Sequence, residues 1–382
     1  MLAAAILLAL STQSVPPHPP TPPAVATAAE NRDAAALAVG WQVLAGGQFP
    51  AAVRAADSIL QRRPWDHAAV MLKITALSAI SAGRGLDGYE QWIGTSRPED
   101  AGVLEPVAMA TLREIAASTS DPGLRRSALT ALAASGDETA TRQLAQLPES
   151  RSAADIAAAR NGDRAAVSRL ARLADPKIAP RNPALARELA DGGAAAEPIL
   201  IGMLQSSDAE TRTAAAVSLG TLHAASAREP LQRLAADPNP LVRNAATVAL
   251  AKLGDATALS ALDQWLGTGI PELQLAAAQA FEGQPGPWVD AVRPLLSNQD
   301  GLTRIEAAKA LRRVDPAAAQ AALAGALADP NPVMRAEAAS ALASVEGGSA
   351  PANVTALRRL LHEQDPVVRL AAAKVLLVIA KI

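Results

Sequence analysis

The chain has 382 residues, with 35 basic and 37 acidic side chains, eight aromatics (five Trp, one Tyr, two Phe) and no cysteine. Without cysteine there is no disulfide, thiolate metal ligand or thiol nucleophile. A net charge of −2 argues against a basic nucleic-acid surface, and a half-hydrophobic composition is too apolar for a disordered chain.

Leu2 to Leu10 is an unbroken apolar run followed by Ser-Thr-Gln-Ser. As a helix it rises only about 14 Å, too short to cross a bilayer. It fits a secretory signal peptide over residues 1–14 apart from its missing basic start. This predicts a secreted or periplasmic protein of a bacterium, with a cytoplasmic location as the alternative. Pro16 to Pro23 carries six prolines in eight positions, which imposes extended polyproline II on the spacer 15–30.

From Asp33 onward the pattern is helical. Ala36, Val39, Gly40 and Val43 recur at helical spacing, Gly46-Gly47 breaks the run, Phe49 to Leu60 resumes it and Pro64 stops it. Trp65-Asp66 opens a looser hairpin that runs to about Pro98. Residues 31–100 therefore read as antiparallel helical hairpins, with Gly40 where two helices approach closely. This stretch resembles tetratricopeptide repeats.

The strongest signal is an internal period. Arg212, Arg243, Gln274, Arg304 and Arg335 follow at intervals of 31, 31, 30 and 31, and Arg369 comes 34 later, after an insertion at Gly347 to Pro351. Arg125 sits in the same place in an earlier copy. Each copy begins with an acid such as Asp208, Asp300 or Asp365, and Asp-Pro at Asp121, Asp237 and Asp329 caps the next helix and sets its first turn. Alanine pairs (Ala245-Ala246, Ala307-Ala308, Ala338-Ala339) admit close neighbours, and Leu250, Leu311 and Leu342 supply apolar knobs. A second short helix follows in each copy. Such helices are marginal alone, so stacking must stabilise them.

This order of acid, arginine and alanine pair resembles the short HEAT-like repeat of the phycobilisome-lyase type. The resemblance runs from Thr119 to Ile382 and implies an all-α, right-handed α-α superhelix of about eight units over 101–382. It also implies a buried ladder between adjacent repeats, with Asp121/Arg125, Asp208/Arg212, Asp300/Arg304 and Asp365/Arg369 as rungs. Gln274 departs from the pattern and predicts a softer joint near Gly267 to Pro271.

The sequence holds no Walker loop and no GxSxG elbow. His18, His67, His223 and His362 form no metal-ligand spacing, and the single His362-Glu363 dyad falls short of the several His-Glu pairs that HEAT-like iron hydroxylases use. The reading is of a non-catalytic scaffold or adaptor for protein partners, with no catalytic, cofactor or metal residues. A helical-repeat enzyme or maturation factor, bilin-lyase-like or hydroxylase, is the alternative. If the second helices line the concave groove, Arg233, Gln264 and Arg359 form its polar column, beside Gln232, Asp263 and Arg358. Val367 to Ile382 ends on apolar residues and predicts an uncovered face for self-association.

Overall fold

The computed structural model of the protein describes residues 28–94, 98–147, 150–281 and 283–381. The leader 1–14 and most of the proline spacer lie outside the described residues. Among those described every regular element is helical, which is the all-α class expected. Contacts divide the chain at 72/73, within the stretch 31–100 read as helical hairpins.

In the first unit α1 (Ala28–Ala45) and α2 (Phe49–Leu60) pack as a hairpin, and α3 (His67–Ile80) begins here. A Cβ on Gly40 would come within 2.3 Å of Leu72 Cδ2 and 3.2 Å of Ala55 Cβ. A larger residue would have to displace the Leu72 side chain. Ala52, Ala56 and Ile59 form the apolar side of α2. Asp33 is buried, and Arg63 Nη2 meets its carboxylate at 2.8 Å while Arg62 bonds the other oxygen.

The second unit contains α4 (Ala82–Ile93), α5 (Ala101–Ser118), α6 (Pro122–Ala134), α7 (Glu138–Gln146), α8 (Ser150–Arg160) and α9 (Arg164–Leu173). Next come α10 (Pro183–Glu188), a 3-10 stretch Leu189–Ala196, α11 (Glu197–Met203), α12 (Ala209–Thr221) and α13 (Arg228–Leu234). The regular pairs are α14 (Pro240–Lys252) with α15 (Ala256–Leu266), and α16 (Pro271–Ala280) with α17 (Trp288–Val292). They continue as α18 (Gly301–Leu311) with α19 (Pro316–Ala326), then α20 (Pro332–Leu342) with α21 (Pro351–Leu360), and end at α22 (Pro366–Ile379).

Capping starts each arginine-bearing helix. Asp121 accepts from the N–H groups of Gly123 and Leu124, Asp208 from Thr211, Asp300 from Thr303 and Asp365 from Val367. In the two Asp-Pro-Asn-Pro copies the cap lies two residues later than expected. Asn239 and Asn331 cap α14 and α20, while Asp237 and Asp329 accept the N–H of those asparagines. That shift frees both aspartates for another partner.

The arginine-bearing helices stack directly on one another through α12, α14, α16, α18, α20 and α22, whereas the second helices pack mainly on neighbouring first helices and little on one another. Small residues make this close stacking feasible. A Cβ on Gly220 would lie 2.9 Å from Ala249 Cα across the α12–α14 contact. Helices on the inside of a curve sit closer together than those outside, so the first helices form the concave side. The array then closes on itself, because α22 packs along α5 and touches α6.

Closure covers most of the apolar face of α22 that was expected to be open, leaving Val367 and Val378 exposed. Val368, Leu370, Leu376 and Leu377 are buried within the chain, and the apolar positions find their cover on α5, α6 and α20.

Candidate functional site: the concave face and its closure

The repeated arginine has two jobs, and the expected rungs need correction. Within a repeat, aspartate and arginine do not pair. The aspartate caps its own helix, and the arginine turns back to the carbonyls that precede it. Arg212 Nη1 donates to Ser206 O at 2.8 Å and Ser207 O at 3.1 Å. Arg243 repeats this on Asp237 and Pro238, Arg304 on Asn298 and Gln299, and Arg335 on Asp329 and Pro330. These carbonyls face away from any helix ladder and need such donors.

The remaining guanidinium nitrogens reach forward to the next unit. Arg212 binds Asp237 through both carboxylate oxygens, at 2.9 and 3.0 Å. Arg304 binds Asp329 at 3.2 Å and Arg335 binds Glu363 at 2.9 Å. In each case the acid stands two residues before the next cap. Thr268 and Asn298 hold that place where the rung is missing. Gln274, itself buried, donates only to Leu266 O at 3.0 Å, so its joint carries no charged rung, as its sequence predicts.

Burial alone would push the Asp237 carboxyl up, but Arg212, the Asn239 N–H and Arg243 outweigh it and hold Asp237 below its usual range. The bidentate geometry, with both partners nearly buried, makes this the strongest rung on the grounds of charge-assisted hydrogen bonding.

The closure is a separate charged cluster. Arg358 on α21 inserts between Glu90 and Glu99, with Nη2 at 3.1 Å from Glu99 Oε1. Glu99 also accepts from Thr355 Oγ1 at 2.9 Å and from the Tyr89 hydroxyl at 2.8 Å. Burial pushes the Tyr89 hydroxyl well up, which keeps its proton in place to donate. Burial opposes the charge of Arg358, and Glu99 and Glu90 more than offset this, holding the guanidinium charged. Arg369 closes the ladder on Glu114 of α5 at 3.0 Å, and His362 Nε2 lies 3.1 Å from Glu90.

The solvent side of the first helices carries a row of apolar side chains. Leu241, Leu302, Val333 and Val367 are each the second residue of their helix, and they are 46–68% exposed. At α16 that register is held by Glu272, and exposed Ile270 stands two residues before it. Lys309 bridges Glu306 at 2.8 Å and Glu337 at 3.0 Å on the same side.

Arg233, Gln264 and Arg359 do not line this groove. They lie on the second helices α13, α15 and α21, on the outer side, all three exposed. Arg233 pairs with Glu229 of its own helix at 3.1 Å. In the neighbouring column Gln232 bonds Asp255, and Arg358 belongs to the closure. The column expected from the sequence thus sits on the second helices, apart from the apolar row that the first helices carry. The signal that locates the row is the apolar residue recurring two positions after the cap, at Leu241, Leu302, Val333 and Val367. Among the described residues, no group of three or more His, Asp or Glu side chains is placed to hold a metal ion.

Residues 196–282 and 289–377 match the family model for HEAT repeats. With its all-helical stacked pairs, the chain is a HEAT-like repeat protein. Among solved structures it is similar to human deoxyhypusine hydroxylase in complex with glycerol, at 20% identity and a TM-score of 0.37, covering 72% of this chain and 97% of that one. It is also similar to two engineered proteins. One has 21% identity, a TM-score of 0.27 and coverage of 93% and 96%. The other has 20% identity, a TM-score of 0.17 and coverage of 78% and 96%. No curated protein matches the chain.

Proposed function

We propose that this protein is a non-catalytic scaffold whose concave face binds a protein partner through the row Leu241, Leu302, Val333 and Val367. The observation that carries the reading is the register of that row. Four helices present a large apolar side chain at the same place to solvent, while most of their other large apolar residues are buried. Contiguous exposed apolar surface is characteristic of interaction sites, and the inner side of a stacked helical array is where extended partners lie. Leu302→Asp with Val333→Asp leaves the buried contacts untouched and removes the apolar row. Partner capture from a host extract by the unmodified chain, lost in this double variant with its circular dichroism unchanged, is the expected result. Equal capture by both proteins would refute the site.

The reading includes export to a bacterial cell envelope, supported by Leu2 to Leu10 alone; amino-terminal sequencing of the mature protein tests it. Stoichiometric iron in the purified protein would instead favour a hydroxylase.

A further inference from the structure

The closure is built differently from the other steps of the array. Along α12 to α22 successive first helices stack on one another, whereas at the closure α22 packs mainly along α5 and touches α6 only lightly. Beside that light contact is a groove of about 350 Å³. Ala131 and Ala134 of α6, Ala343 just after α20, and Val378 of α22 give it apolar walls, and Lys374 and Lys381 lie along it. Its size and mostly apolar lining with a few polar groups are those of a small-ligand site.

The two lysines identify the ligand's charge. Lys309, on the same side of the array, is neutralised between two glutamates. Among the described residues Lys374 and Lys381 have no carboxylate partner. Lys374 Nζ donates to Ser127 Oγ at 3.1 Å, and Lys381 Nζ to Ala134 O at 3.0 Å and Ser135 Oγ at 3.4 Å. An ammonium has three donors, so each retains capacity. They differ in setting, because Lys381 answers the carbonyl end of α6, where the helix dipole disfavours an anion. Lys374 sits about two turns earlier and answers only a hydroxyl.

We propose that this groove binds a free aliphatic carboxylate, with the hydrocarbon chain along Ala131, Ala134, Ala343 and Val378 and the carboxylate on Lys374. The site is separate from the apolar row at the helix starts and goes beyond the scaffold reading.

Titration calorimetry of the full chain with decanoate, below its aggregation concentration, tests the assignment. One saturable site is expected, weakened at least tenfold in Lys374→Gln and abolished in Val378→Trp, which fills the groove. Decanol should bind the unmodified protein at least tenfold more weakly than decanoate does. Absence of saturable binding, or unchanged affinity in both variants, overturns the proposal. So does equal affinity for decanol, which removes the role of charge, or stronger binding to phospholipid vesicles than to free decanoate, which makes the surface a membrane contact. Partner capture through Leu302 and Val333 is a separate readout, so either proposal can fail alone.

Discussion

Arg358 and Glu99 are 259 residues apart in the chain and 3.1 Å apart in space. An open helical array is held by nearest-neighbour contacts and frays from its ends. Here the end of the array is tied to its beginning by a guanidinium only 16% exposed and a carboxylate only 7% exposed. The last helix of the second unit is therefore packed against α5 rather than left as a free end among the described residues.

Arg358→Ala leaves Glu99 buried without its cation. Breaking such a pair costs about 2–3 kcal/mol where burial is partial. Denaturant melting should report that loss, and hydrogen exchange should show α22 and α5 losing protection together. Arg359→Ala, one residue away and exposed, should change stability by less than about 0.5 kcal/mol. Equal effects of the two substitutions would mean that the closure contributes nothing.

The arginines of the ladder should fall into two grades. Arg212→Ala removes the two carbonyl contacts and also strands Asp237, for a loss of about 3 kcal/mol. Arg243→Ala removes contacts to the carbonyls of Asp237 and Pro238 with no forward acid, for a loss of about 1–2 kcal/mol. Chemical denaturation of the two variants measures the difference directly.

Much of this architecture was readable from residues whose role is local. The Asp-Pro and Asn-Pro starts, the alanine pairs and the period of Arg212, Arg243, Arg304 and Arg335 each specify one helix and its spacing to the next. The partner of each arginine was not readable, because Asp208 and Asp237 look alike in sequence. Only the position of the cap, Asp208 in one copy and Asn239 in the other, decides which aspartate is free. The closure escaped for a different reason. Arg358 and Glu99 come from stretches with no common pattern, and their meeting depends on the curvature accumulated over all the intervening repeats.

Close helix approach gives a third test. Gly220→Ala places a methyl group within 3.0 Å of the Ala249 backbone and side chain, and neither neighbour has a rotamer to yield. The intrinsic preference of alanine for helices would favour the variant by about 1 kcal/mol. The overpacking penalty of about 1–3 kcal/mol opposes it and should win. A net loss of about 1–2 kcal/mol in a thermal or denaturant melt is expected, and a gain would show that α12 and α14 separate freely.

Acid should loosen the array before it affects the apolar core. Arg212 and the Asn239 N–H hold the Asp237 carboxyl low against the upward push of burial. Asp208 is held low chiefly by the Thr211 hydroxyl and N–H, and Asp300 by those of Thr303. A carboxyl that binds its proton more weakly folded than unfolded stabilises the fold at every pH above its unfolded value, near ~4. That contribution disappears as pH falls through the still lower folded value. Stability should therefore be level with respect to these groups from about pH 5 to 7 and drop below about pH 4. Asp237→Asn should be less stable than the unmodified protein at pH 7 and should lose less on acidification, so that the two stability curves approach each other as pH falls through the lowered folded value. Parallel curves in urea melts across that range would show that the Arg212–Asp237 rung carries none of the acid sensitivity.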